Sequence, residues 1–278
     1  MTWSSAALEC PELVRHVHES GVAVYRSALL DRAGFAHGFS TRHGGVSAPP
    51  FDTLNLGIAQ APGEPDSEAN VARNVERLMA AIGAPECAMV RARQVHGVAV
   101  HWAERGAAGG APVHEADVVA SAWRGAAPCV RTADCVPLLL ACTATGMVAA
   151  VHAGWRGVVA GAVRAAVAAL TARGARAEDL AAAIGPSISA AEYEVGEEVA
   201  RAFEVAGLEA HVLRRASWPR PHVDCAGAVR AQLRAVGVPG NRIEGGGLCT
   251  ARMPREFFSY RRDGARSGRM AAVIVPRG

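Results

Sequence analysis

A thiol and an imidazole, Cys135 and His152, close the two ends of TADCVPLLLACTATGMVAAVHAG, residues 132–154. Two short apolar runs, residues 136–141 and 147–151, flank a turn-like segment at 142–146. Runs of this length bounded by Thr, Gly and Pro read as buried strands joined in a hairpin. Residues equidistant from an antiparallel turn face each other. With the turn centred near Thr143 or Ala144, Cys135 and His152 are predicted to meet at the open end of the hairpin. Immediately after, Gly154-Trp155-Arg156-Gly157 leads into an Ala/Val-rich stretch, 158–173, that reads as one helix stopped by Gly174. A first helical turn with unpaired N–H groups favours an anion, and Arg156 adds a planar cation suited to phosphate or carboxylate. The plainer alternative is a tight strand-to-helix turn with Arg156 in solvent.

A third chemistry-bearing residue is His96, at a predicted strand end in Gln94-Val95-His96-Gly97. Two nitrogens and one sulfur suit zinc, and three protein ligands leave a fourth position for water or substrate. Spacings of 39 and 17 residues would be closed by tertiary structure rather than by a zinc-finger loop. The same residue types admit a cysteine nucleophile, Cys135, with His152 as base and Asp134 or Asp117 as orienting acid. They also admit a buried thiol beside two structural histidines. Residue types alone leave all three open.

The elements that must position these groups are read from periodicity. A strand is predicted at 22–25. The loop GFSTRHGGVSAPPFDTLNLG, 38–57, carries Arg42 and Asn55 and is anchored by Phe39, Val46, Phe51, Leu54 and Leu56. An amphipathic helix spans 67–82, capped by Asp66 or Ser67 and stopped by Gly83. Within 89–103, alternating runs predict strands on both sides of His96, with His101 at the surface. Residues 106–112 read as a flexible loop. Strands follow at 118–121 and 180–184, helices at 195–206 and 224–236, and a last strand at 270–275. Tyr260, Arg261 and Arg262 form an aromatic and cationic cluster before an Asp263-Gly264 turn.

Composition narrows the function classes. A net charge of +3 over 278 residues argues for neither nucleic acid nor a membrane surface. No apolar run approaches the ~20 residues of a bilayer span, and the start lacks a signal-peptide pattern. A cytoplasmic location is expected. Seven scattered cysteines without a Cys-x-x-Cys make no disulfide framework. Cys10, Cys87, Cys129, Cys142 and Cys225 read as small buried hydrophobes. All 29 basic residues are arginine. Schiff-base chemistry and a Walker phosphate loop are therefore ruled out, and an anionic substrate must be held by arginine, histidine or backbone.

The motifs FSTRHGGVS (39–47), LNLG (54–57), QVHG (94–97), TADCVPLLL (132–140), VHAGWRG (151–157), AIGPSI (183–188), YEVG (193–196), FFSYRRD (257–263) and SGRMA (267–271) run in one order along the chain. In this the chain resembles the YfiH-like or laccase-domain family, described both as polyphenol oxidase-like proteins and as purine nucleoside phosphorylases. The resemblance implies an α/β (α+β) fold with two mixed sheets between helix layers, a four-layer α-β-β-α sandwich. It spans one domain, 1–278, with residues 1–30 a less patterned extension. It implies a catalytic Zn2+ on His96, Cys135 and His152, with Cu2+ as an adventitious occupant. The implied activities are phosphorolysis of adenosine, inosine and methylthioadenosine, and hydrolytic deamination of adenosine. The partners are a small nucleoside and phosphate, in a monomer or small homo-oligomer. Cys135, His152 and Asp134 are then the catalytic candidates, with Asp117 the other carboxylate able to shuttle protons. Arg42, Asn55, Gln94, Arg156 and Tyr260 are the substrate-contact candidates, Arg42 and Arg156 for phosphate. Alternatives are editing of peptidoglycan precursors and a cysteine-dependent amidase. A copper polyphenol oxidase ranks last, because His16-Val17-His18 is the sole His-x-His pair. The family often has a Cys-Cys pair where this chain has Ala191-Glu192, and a further cysteine where it has Arg252.

Overall fold

The computed structural model describes residues 12–57, 65–106 and 114–277. Its frame is two six-stranded mixed sheets laid face to face. The first sheet runs β1 (Val14–Val17), β2 (Ala23–Arg26), β3 (His37–Ser40), β14 (Met270–Ile274), β7 (Ala126–Thr132), β4 (Ala88–Val90). The second runs β13 (Ile243–Gly245), β10 (Leu180–Ile184), β8 (Val136–Cys142), β9 (Val148–Ala153), β6 (Val118–Ser121), β5 (Val100–Ala103). A two-stranded ribbon pairs β11 (Val212–Leu213) with β12 (His222–Val223).

Strand alternation explains the layers. Along β8, Leu139 and Ala141 pack inward with Val148, Ala150, Ala181 and Ala183 against Phe39, Val130, Ala272 and Ile274 of the first sheet. Leu138 and Leu140 turn to the opposite face. There they meet the helices α3 (Trp155–Ala160), α4 (Ala162–Thr171), α5 (Glu197–Val205) and α6 (Cys225–Ala235) through Val158, Val163, Leu170, Phe203, Val229 and Leu233. A strand buried on both faces needs an unbroken apolar run, and VPLLLAC supplies it. On the outer face of the first sheet, α2 (Glu68–Ala81) seats Leu78 and Met79 on Val24, Cys129, Ala271 and Val273. Two short helices, α1 (Ala28–Arg32) and α7 (Tyr260–Asp263), cap loops. This is the expected α-β-β-α order.

Most predicted elements fall within two residues of their places, and several readings need correction. The hairpin pairs Pro137 with His152, so the turn is centred between Ala144 and Thr145, one position late. Cys135 thus lies two residues off His152, a slip that preserves the face each side chain points to. The helix predicted at 158–173 is two helices. It begins at Trp155 and breaks at Gly161, whose φ of 91° lies in the left-handed region. The strands predicted on both sides of His96 are present as β4 and β5, one in each sheet. Val46 is exposed rather than an anchor. Cys87 is only partly buried, its thiol on the Arg124 carbonyl. His101 is half-buried and stacked on His114. The stretch before residue 30 holds β1 and β2. Cys10 and most of the 106–112 loop lie outside the described residues.

Candidate metal centre

Two crossings between the sheets build the site. The chain leaves β4 in the first sheet, passes His96, and enters β5 in the second. It leaves β7 in the first sheet, passes Cys135, and enters β8 in the second. His152, near the end of β9, completes the group. One ligand atom from each of His96, Cys135 and His152 lies within 4.8 Å of the others. Cys135 Sγ is 3.9 Å from His96 Nε2. His152 is buried, Cys135 partly so, and His96 faces solvent, which leaves the cluster one open side.

Asp117, fully buried, organises both histidines. Its Oδ1 accepts from His152 Nδ1 at 2.7 Å and from the His96 N–H at 3.0 Å. Its Oδ2 accepts from the N–H groups of Gly97 at 2.6 Å and Val95 at 3.2 Å. The His152 Nδ1 bond leaves Nε2 as the free ring nitrogen. The three backbone bonds hold His96 at a φ of 60°, a left-handed conformation that few residues other than glycine adopt. Gln94 ties the same loop to the first sheet. Its Nε2 donates to the Arg131 carbonyl at 2.7 Å, and its Oε1 accepts the Arg131 N–H at 2.8 Å. Gly154 leaves the necessary room: a Cβ there would stand 2.6 Å from His96 Cδ2 and 3.2 Å from Cys135 Sγ.

Electrostatics polarise the cluster. Burial works against a thiolate at Cys135, but the imidazoles of His152 and His96 outweigh it and bring the thiol down to about 6. Burial also disfavours a charged His152, yet Cys135 and Asp117 raise it, to about 9. Burial raises Asp117 as well, and the bonds from His152 and the loop N–H groups overcome it and hold the carboxyl below its usual range. An N₂S donor set, with a thiol already disposed to ionise and a carboxylate behind one histidine, fits a zinc site with an open coordination position. Copper(II) binds the same donor types. Among the described residues this is the one such triplet.

The other candidates are placed as follows. Asp134 is turned away from His152: it accepts from Thr250 Oγ1 and from the Arg261 N–H, both at 2.6 Å, at a φ of 97°. Of the two carboxylates left open by sequence, Asp117 makes the imidazole contact. Arg42 binds the Asp52 and Pro254 carbonyls, pairs with the Asp52 carboxylate and lies over Phe258, so its guanidinium is engaged within the protein. Asn55 is fully buried, linking Gly57, Asp66 and the Arg269 N–H. Arg156 is exposed and stacked on Trp155, at the start of a six-residue helix. Tyr260 is exposed, with the Arg269 guanidinium 5.9 Å from its ring. Sequence reasoning read Gly154 only as part of a strand-to-helix turn and passed over Arg269, although it sits inside a quoted motif. It left Asp117 as one of two.

The family model described as "Multi-copper polyphenol oxidoreductase laccase" matches residues 36–277, and the chain belongs to that family. It is similar to a purine nucleoside phosphorylase of Deinococcus radiodurans, 43% identical over 87% of this chain and 89% of that one. It is also similar to purine nucleoside phosphorylase ORF3 of Streptomyces griseus, 42% identical over 87% of this chain and 94% of that protein. Among solved structures, YlmD from Geobacillus stearothermophilus superposes with a TM-score of 0.83 at 29% identity, covering 96% of this chain and 100% of that one. The Bacillus licheniformis protein YfiH shares the fold, with a TM-score of 0.84 at 24% identity over 95% and 99% of the two chains. No helix among the described residues is long and apolar enough to cross a membrane.

Proposed function

We propose that this protein is a zinc-dependent purine nucleoside enzyme that phosphorolyses adenosine, inosine and methylthioadenosine and hydrolytically deaminates adenosine. The observation that carries the reading is the His96, Cys135 and His152 triplet backed by Asp117, on a chain whose relatives bear the name purine nucleoside phosphorylase. His96, Cys135 and His152 would hold the metal. Zinc, when bound, supplies a Lewis acid that polarises substrate groups and lowers the pKa of water from 15.7 to roughly 7. Asp117 fixes the His152 tautomer and the loop carrying His96, and the exposed side of His96 admits substrate. In phosphorolysis a phosphate oxygen bonds to ribose C1′ as the C1′–N9 bond breaks. The bonding pair and the phosphate proton pass to the purine, giving ribose 1-phosphate and free base.

The test is to incubate zinc-loaded protein with adenosine, with and without phosphate, and resolve the products. Adenine with ribose 1-phosphate, appearing only with phosphate, and inosine without it, are expected. No turnover of any purine nucleoside by fully loaded protein would overturn the reading. A second reading draws on the partly exposed, acidified Cys135 beside an Asp117-held His152, an arrangement that also suits a cysteine hydrolase. It requires amide hydrolysis by metal-free protein that alkylation of Cys135 abolishes.

A further inference from the structure

Phosphorolysis needs a phosphate site; Arg42 is engaged within the protein, and Arg156 is exposed and stacked on Trp155. Two other arginines converge beside the metal centre. Arg131, on β7, pairs with Ala271 of β14, and Arg269 precedes Ala271 by two residues. The strand period of two puts both side chains on the outer face of the first sheet. Gly57 approaches that face from the loop before α2. A Cβ on Gly57 would lie 3.4 Å from Arg131 Nη1 and 2.7 Å from Arg269 Cγ, so only a glycine lets this loop pack directly against both arginine side chains. Asn55 fixes the corner, accepting the N–H groups of both Gly57 and Arg269.

The corner is rich in positive charge and poor in acceptors. Among the described residues the Arg131 side chain makes no ion pair, and Arg269 uses Nη1 on the Ser267 and Gly268 carbonyls. Burial, then the charges of Arg91 and Arg269, depress Arg131. Asp134 is within electrostatic reach of Arg269, but its two oxygens are taken by Thr250 and Arg261. Gln94, two residues before His96, is bonded to the Arg131 backbone on both sides, which ties the corner to the loop that carries a metal ligand. Among the described residues no carboxylate forms an ion pair with Arg131 or Arg269, and such guanidinium pairs suit an incoming oxyanion.

We propose that Arg131 and Arg269, brought together beside Gly57, bind the inorganic phosphate consumed in phosphorolysis. This rests on the function proposed above and assigns its co-substrate site. Two guanidinium forks present donors to a tetrahedral anion, orienting one oxygen toward the substrate beside the metal centre.

The experiment is equilibrium dialysis of radiolabelled inorganic phosphate with zinc-loaded full-length protein, wild type and Arg131→Gln. A second variant, Gly57→Ala, keeps both charges and forces the Arg269 side chain to shift. Each variant should weaken phosphate binding at least tenfold at unchanged zinc content. Arg131→Gln should melt no lower than wild type, because it relieves like-charge repulsion. Retained phosphate affinity in both variants would overturn the proposal, as would a wild type that binds no phosphate in the millimolar range. AMP displacing phosphate at equal concentration would assign the corner to a nucleotide's phosphoryl group and overturn the co-substrate role. The two proposals separate cleanly. Phosphate binding lost in the variants of a protein without phosphorolysis keeps the anion site and sinks the function. Phosphorolysis with an unchanged KM for phosphate in Arg131→Gln keeps the function and sinks the site.

Discussion

Asp117→Asn tests the organisation of the site with a change of one atom. Four donors point at the carboxylate, two at each oxygen. An amide offers one oxygen and one NH₂. In either orientation the NH₂ faces two donors, so at least two of the four bonds are lost. A buried donor left unpaired costs roughly 1–3 kcal/mol, so a loss of about 2 kcal/mol or more is expected. For a chain of this size that corresponds to a Tm lower by roughly 4–8 °C. Loss of a carboxylate behind a metal-binding histidine weakens metal affinity by about 10–100-fold. Zinc affinity is read by competition with a chromogenic chelator, and stability by thermal melting of metal-free protein. The metal-free melt separates the lost hydrogen bonds from the weakened metal binding. Wild-type zinc affinity with a Tm lowered by less than about 2 °C, half the smallest expected shift, would refute the reasoning.

Cys135→Ala should abolish stoichiometric zinc binding, checked by metal analysis of untagged protein, while His101→Ala, outside the cluster, should retain it. His37 is buried, accepts the Ser27 N–H at Nε2 and is pushed down to about 4, chiefly by burial. Its folded pKa lies below the unfolded ~6.5, so the neutral ring stabilises the fold above that value and the contribution is lost as pH falls toward 4. Chemical denaturation at pH 7 and pH 4.5 should differ by about 2 kcal/mol from this group, and His37→Gln should flatten the profile. At Gly161→Ala the new Cβ meets only Arg164, at ordinary van der Waals distance, but the residue keeps a φ of 91°, so about 1 kcal/mol should be lost in urea denaturation. Leu138→Ala, at a fully buried position between β8 and the helices, should cost about 2–5 kcal/mol in the same assay.

The elements that could be read from sequence are those whose burial is one-sided or whose ends are signed. Helix α2 shows both, with Ser67 accepting the Asn70 N–H and Gly83 stopping the turn at a φ of 78°. Helix α6 announces itself through Asp224, which accepts the Gly227 N–H. Strand β7, AAPCVRT, carries a proline and alternates weakly, so periodicity gives it no signal although it is central to the first sheet. The break at Gly161 was hidden because an Ala/Val run continues on both sides of it. At the site, Cys135 and His152 were legible because one hairpin joins them. His96 was placed by its motif and Asp117 only as one of two acids, because their contact depends on how separate sheets dock. Gly57, Arg131 and Arg269 meet solely through tertiary structure, and local pattern carries no trace of such a meeting.

The two crossings that carry His96 and Cys135 act as stitches between the sheets, with His152 as the knot. A metal bound there would tie the β4–β5 connection, the β7–β8 connection and the end of β9 into one node. No half of the chain contains that node, since neither sheet alone supplies the loops that span both. Metal uptake would then be a late event, possible only after the sheets have docked, and its release would loosen the seam rather than either sheet. Holding zinc would thus report that assembly is finished, and in a cell that distinguishes a completed molecule from one still searching for its partner layer.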